Sequence, residues 1–165
     1  MFHKQSCNTK TIIIFAAIAV IAFLVEALGV KTGNIFGEYI YGDNLGPKVA
    51  HTPLLIGVNW LMLIYCSIVI ADTVSGKQTI KIFLPPVLMV IYDLVLEQAA
   101  TVLGMWSWTD GKIPVRNYIA WFGLSFLFTL VIRLLRISFS NKLAHYVMAT
   151  QFIFFVILVA FFKPA

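Results

Sequence analysis

Residues 83–104, FLPPVLMVIYDLVLEQAATVLG, decide how this chain folds. The run is apolar enough and long enough to cross a bilayer, which takes ~20 helical residues. Yet Asp93 and Glu97 stand in its middle, one helical turn apart. A carboxylate near the hydrocarbon centre costs roughly 2.5–3.5 kcal/mol on insertion scales. At i, i+4 the two acids share a helix face and repel if both are ionised. Burial and like charge both disfavour the ionised form, so at least one is expected to be a neutral, proton-donating acid near pH 7. A chain that tolerates such a pair is expected to use it.

The rest of the sequence agrees with a membrane reading. Of 165 residues 61% are hydrophobic and 12% charged, against about 25% charged in ordinary soluble domains. We read residues 1–165 as one membrane domain with no separate soluble module. The net charge of +5 comes from Lys and Arg scattered among loops, without the run or stripe that tracks phosphates, so no nucleic-acid partner is expected. Cys7 and Cys66 lack paired or CxxC spacing, and His3, His51 and His145 are too dispersed to form a ligand motif with them; neither a disulfide nor a metal site is expected.

Hydropathy predicts an all-α, polytopic bundle of about five transmembrane helices, at about 12–29, 53–72, 82–104, 117–137 and 143–162. The first could also read as a signal peptide, with MFHKQSCNTK as n-region and IIIFAAIAVIAFLV as h-region. Glu26 and the glycine-rich stretch behind it offer no convincing cleavage site. Five spans put the termini on opposite sides. Lys4, Lys10, Lys77, Lys81, Arg133, Arg136 and Lys142 collect on one side, and Lys31, Lys48, Lys112, Arg116 and Lys163 on the other. The first set is larger, so the positive-inside rule predicts a cytoplasmic N-terminus.

Two loops are rich in glycine, aromatic and polar residues: VKTGNIFGEYIYGDNLGPKVAHT after the first span and MWSWTDGKIPVR after the third. Helix counting puts both on the same membrane face. Glu26 lies just before the first of these loops, and Asn59 and Trp60 open the second helix behind it. Glu97 lies roughly 10 Å below the other loop and Asp93 about 6 Å deeper, at ~1.5 Å per residue. Asn117 and Trp121 open the fourth helix. Intramembrane polar groups turn to each other or to a wet cavity, so a shared pocket is expected. Trp106, Trp108, Tyr118 and Trp121 fit an interfacial belt, or a cavity whose ring faces stabilise a cation.

Other features carry less. Gly29, Gly33 and Gly37 recur every four residues, but their neighbours argue for a turning, partly re-entrant loop. Pro85-Pro86 suit a first helical turn, where missing donors cost little. Arg133 and Arg136 are expected to snorkel, and Gln151 to make a helix–helix hydrogen bond.

Two blocks carry a resemblance. The first runs Glu26-x2-Gly29-x3-Gly33-x2-Phe36-Gly37-x-Tyr39-x-Tyr41, then Leu45-Gly46-Pro47 and Pro53 leading to Asn59-Trp60. The second runs Asp93-x3-Glu97, Gly104-x-Trp106-x-Trp108, then Pro114-x2-Asn117-x3-Trp121. Together they cover most of residues 26–121, and the chain resembles the integral-membrane carotenoid biosynthesis protein family, which includes carotenoid 1,2-hydratases of the bisanhydrobacterioruberin hydratase type. Gln98 departs from the family pattern, which has Pro there, and many relatives carry additional helices.

The resemblance implies a bacterial or archaeal cell-membrane enzyme that adds water to the terminal double bond of an acyclic carotenoid, a cofactor-independent hydratase of the lyase class. It implies membrane lipid, a hydrophobic polyene and other carotenoid-pathway membrane enzymes as partners. Protonating a trisubstituted alkene needs a neutral acid beside an apolar substrate. Glu97 is the expected acid, with Asp93 its coupled partner and Glu26 or Asn59 orienting the water. Roles can exchange within the pair. Trp60, Trp106, Trp108, Asn117, Trp121, Tyr39 and Tyr41 would line the substrate site with Asn59. No redox cofactor or metal is required. A membrane carotenoid cyclase would start from the same protonation. Intramembrane acids also suit a proton-coupled transporter or channel subunit, although no inverted repeat or paired broken helices are visible.

Overall fold

The computed structural model describes residues 9–162; Cys7, His3, Lys4 and Lys163 lie outside them. Among the described residues five helices are each long and apolar enough to cross a membrane: α1 (Thr9–Thr32), α2 (Leu55–Val74), α3 (Gln78–Val102), α4 (Val115–Leu134) and α5 (Leu143–Phe162). The expected all-α multi-pass architecture holds. Consecutive helices pack as α1 on α2, α2 on α3 and α3 on α4, and α5 lies against α2 and α3.

Each inner helix turns one stripe inward. On α1 the stripe is Ile18, Ala22, Glu26 and Gly29, on α3 it includes Met89, Asp93, Leu96 and Glu97, and on α4 Asn117, Trp121, Ser125 and Thr129. The opposite faces expose Leu24, Leu28, Ile91, Leu94 and Leu127, as lipid-facing surfaces should. Between helices in lipid, close packing and hydrogen bonds replace the hydrophobic drive. Gly57 shows the consequence: a Cβ there would strike the carbonyl of Ala19 and come within 3.1 Å of the Phe23 Cβ. Helices α1 and α2 therefore touch backbone to backbone, one turn from Trp60.

The loops supply what hydropathy did not predict. β1 (Tyr39–Tyr41) pairs antiparallel with β4 (Trp106–Trp108), tying the first loop to the third, with Tyr39 opposite Trp108 and Tyr41 opposite Trp106. Backbone bonds from Gly42 to Met105 (2.8 Å) and from Thr109 to Glu38 (3.0 Å) extend the ribbon at both ends. A separate short hairpin joins β2 (Lys48–Val49) to β3 (Thr52–Pro53). Its two turn residues, Ala50 and His51, both have positive φ (50° and 62°), the geometry of a tight hairpin. Gly29 still belongs to α1, while Gly33 and Gly37 adopt φ 65° and 132°. That matches the turning loop expected there.

Two expectations at the opposite end need correction. α3 begins at Gln78, so Pro85 and Pro86 lie inside the helix and not in its first turn. Pro85 has no N–H for the carbonyl of Lys81, four residues back. The Arg133 guanidinium takes that place, donating from Nη2 to the Lys81 oxygen at 3.1 Å. Arg133 also donates from Nη1 to Asp72 Oδ2 at 3.0 Å, and Lys81 Nζ stands 3.3 Å from Asp72 Oδ1. Arg133 is thus a half-buried clasp joining α2, α3 and α4, not a snorkelling charge. Arg136 is exposed. Gln151 reaches from α5 to the Met62 sulfur on α2 at 4.0 Å, a weak form of the expected interhelical bond.

Candidate functional site

Strand geometry explains how four aromatic rings reach the acids. Side chains alternate along a strand, so Tyr39 and Tyr41 point to one face and Ile40 to the other. Across the ribbon, Trp106 and Trp108 share that same face. Both tyrosines and Trp106 are buried and Trp108 is half-buried, while Ile40 and Ser107 are exposed. The ribbon is an aromatic cover laid over the ends of α1 and α3.

Beneath it sit three carboxyl groups. Glu26 Oε2 accepts from the Tyr39 hydroxyl (2.6 Å) and the Tyr41 hydroxyl (2.9 Å), and its Oε1 accepts from Trp60 Nε1 (2.8 Å). Glu97 Oε2 accepts from Trp106 Nε1 (3.0 Å) and Trp108 Nε1 (2.7 Å). Asn117 Nδ2 bridges the pair on α3, donating to Asp93 Oδ2 at 2.7 Å and, at a longer 3.3 Å, to Glu97 Oε1. Asp93 Oδ1 is buried with no hydrogen-bond partner among the described residues. Burial, and next the Glu26 carboxyl, push the Tyr39 and Tyr41 phenols above their ordinary range, so both remain O–H donors.

These donors are all neutral. No ion pair reaches Glu26, Asp93 or Glu97 among the described residues. Oε2 of Glu97 receives two N–H groups, as many as a carbonyl-type oxygen has lone pairs. Oε1 has only the longer Asn117 contact, which leaves it free to be the hydroxyl oxygen of a protonated acid.

A cavity of about 20 Å³ lies between Glu26 and Glu97, room for about one water. Its wall contains Glu26, Glu97, Asn59, Asn117, Tyr39, Tyr41 and the four tryptophans Trp60, Trp106, Trp108 and Trp121. Ten of the eleven residues singled out from sequence therefore meet at one cavity. Asp93 is the exception: it is linked to Glu97 through Asn117 and is not part of the wall. Phe36, Ile56 and Leu96 complete the lining; of these only Phe36 had a signal, as part of the first motif block. Trp121 stacks on Trp60 with centroids 4.3 Å apart, so both serve the interior and neither is a lipid-facing belt residue. Tyr118 lies instead in a groove on the outside of α3 and α4.

A larger groove of about 610 Å³ opens beside the cavity. It shares Glu97 and Trp108 with the cavity and is otherwise lined by the last turns of α3, by Ser107, Gly111 and Ile113, and by Phe162 at the end of α5. No cluster of three or more His, Cys, Asp or Glu with metal-binding geometry occurs among the described residues.

Comparison with known proteins places the chain. Over 113 residues the chain is 26% identical to a protein named bisanhydrobacterioruberin hydratase from Haloarcula japonica, a stretch covering 64% of this chain and 39% of that protein. The match thus spans well under half of that relative's length. No solved structure matches. The family model described as carotenoid biosynthesis protein matches residues 1–164. This chain belongs to the carotenoid biosynthesis protein family.

Proposed function

We propose that the protein is a membrane enzyme that adds water across the terminal double bond of an acyclic carotenoid end group, giving a tertiary alcohol. The observation that carries this reading is the one-water cavity between two carboxyl groups, Glu26 and Glu97, in a member of this family. The name of the Haloarcula japonica relative agrees with it.

The reaction begins with Glu97 as acid. Its Oε1–H bond breaks and a C–H bond forms at the less substituted alkene carbon, leaving a tertiary carbocation. The oxygen of the cavity water then bonds to the cationic carbon. One of its protons passes to Glu26, so that the substrate gains the atoms of one water. Exchange with water returns the Glu26 proton to solvent and reloads Glu97. Two indole N–H groups hold the Glu97 carboxylate left behind, and ring faces stabilise the cation by cation–π attraction, about 0.5–2 kcal/mol. Asp93, held through Asn117, tunes the acid without touching the alkene. The chemistry asks for no redox cofactor or metal.

The test is the pigment profile of a lycopene-producing host with and without this chain. Hydration adds the mass of one water per end group. Cyclisation by the same first step would leave the mass unchanged, and an unchanged profile would remove both reactions. The side of the membrane is part of the same proposal: a cytoplasmic N-terminus puts the aromatic ribbon on the opposite face. Thiol labelling at Ser75→Cys and Asp110→Cys from either side of sealed vesicles reads this out.

A further inference from the structure

The inner cavity has room for about one water, too little for an isoprenoid end, so the alkene must reach Glu97 from outside it. Among the described residues, three grooves on the outside of the bundle can be compared as routes. One of about 340 Å³ lies against Val87, Tyr118, Ile119 and Phe122, and one of about 380 Å³ against Leu88, His145, Met148 and Phe152. Neither shares a lining residue with the cavity. The third, about 610 Å³, includes Glu97 and Trp108 themselves, and its size is within the roughly 300–1,000 Å³ of small-molecule sites.

Trp108 borders both the cavity and this groove, as Glu97 does. Its Nε1 is fixed on Glu97 Oε2 at 2.7 Å, and its ring leans on Tyr39 with centroids 5.1 Å apart. Trp106 is sealed in the interior, whereas Trp108 keeps part of its surface in the groove. Gly37 makes room for it: a Cβ at position 37 would lie 2.8 Å from the Trp108 ring and 2.5 Å from Pro114. The groove combines apolar walls, Val102, Ile113 and Phe162, with the hydroxyls of Thr101 and Ser107. That mixture suits a hydrocarbon end that leaves as an alcohol.

We infer that this groove is the end-group subsite: the terminal isoprenoid units of a long polyene enter between α3, β4 and the end of α5, with Trp108 positioning the last double bond against Glu97. The inference rests on the hydratase reading, but it can be tested separately because occupancy is read without turnover. The probe is lycopene, added to detergent-solubilised full-length protein carrying Cys7→Ser and Cys66→Ala. Single reporters Thr101→Cys and Ile119→Cys are labelled with a maleimide. Lycopene should slow labelling at position 101 about ten-fold and leave position 119 unchanged. Equal rates at position 101 with and without lycopene, or protection at position 119 alone, would overturn the subsite. Trp108→Ala should raise the lycopene concentration for half-protection about ten-fold, and Trp108→Phe should restore it. If both variants protect as well as Trp108 does, the ring only anchors Glu97 and its positioning role falls. Protection without hydrated product keeps the groove and removes the reaction; hydrated product without protection does the reverse.

Discussion

The two ends of the bundle hold their buried or partly buried carboxyl groups in opposite ways. At the end where α2 meets α3, Asp72 sits between Arg133 (3.0 Å) and Lys81 (3.3 Å). At the ribbon end, Glu26, Asp93 and Glu97 receive only neutral groups: two phenols, three indoles and one amide. A carboxyl group between two cations is held by its ion pairs, and its contacts are structural. One surrounded by neutral donors can gain or lose a proton without breaking an ion pair. Under the proposed function the chemistry belongs to the end whose acids, among the described residues, have neutral donors and no counter-charge.

The largest expected effect is at the neutral end. Glu97→Gln preserves an acceptor for the two indoles but cannot deliver a proton, so hydrated product should fall by about 10²–10⁴-fold. Helix content and membrane insertion should be unchanged. Product at wild-type level from a correctly inserted Glu97→Gln protein would show that the acid is another group, with Asp93 the next to examine.

Asp72→Asn probes the other end. It leaves Arg133 and Lys81 facing a neutral group where both are partly buried. Removing one member of a buried pair costs about 3–5 kcal/mol, and partial exposure here should reduce that to about 2 kcal/mol. The loss should appear as a lower thermal midpoint in detergent, with product per folded molecule unchanged. A variant that stays stable but inactive would reverse the assignment of the two ends.

Much of this contrast could be read from sequence because bilayer thickness ties residue number to depth. Runs of about 20 apolar residues located the five helices, and Glu26, Asn59, Glu97 and Asn117 could be placed at one end by counting from the loops. The Arg133–Asp72 contact could not, since it joins residues 61 apart on different helices. Pro85-Pro86 misled about where α3 begins for a related reason: the carbonyl that Pro85 frees is satisfied by a distant guanidinium. The ribbon escaped because three-residue strands are too short to show a period. The alternation was present in YIY and WSW, but only their pairing reveals that all four rings face the acids.

Within the neutral end, the donors themselves can be thinned. Tyr39→Phe with Tyr41→Phe removes both phenols from Glu26 Oε2 and leaves Trp60 on Oε1. Each lost bond is worth about 1 kcal/mol, and part of this should fall on catalysis. Hydrated product should drop about ten-fold, far less than for Glu97→Gln. A loss as large as that of Glu97→Gln would instead make a phenol a participant in proton transfer.

The smallest effect is expected at an exposed carboxylate, Asp43, which has a cation but no burial. Lys48 Nζ lies 2.7 Å from Asp43 Oδ1, yet the Asp43 side chain is 99% exposed. The hydrogen bond from Lys48, followed by its charge, lowers the Asp43 carboxyl below its ordinary value of 3.8. A lowered folded-state value means that any stabilisation is present above about 3.8 and disappears as pH falls through the folded value. Solvent and salt screen so exposed a pair, so Asp43→Asn should leave the thermal midpoint at pH 7 unchanged within error. Lys48 keeps its bond to the Tyr41 carbonyl (2.9 Å) in that variant, so the ribbon stays in place. If Asp43→Asn lowered the midpoint as much as Asp72→Asn, a cation alone would be stabilising a carboxylate here, and burial would drop out of the comparison.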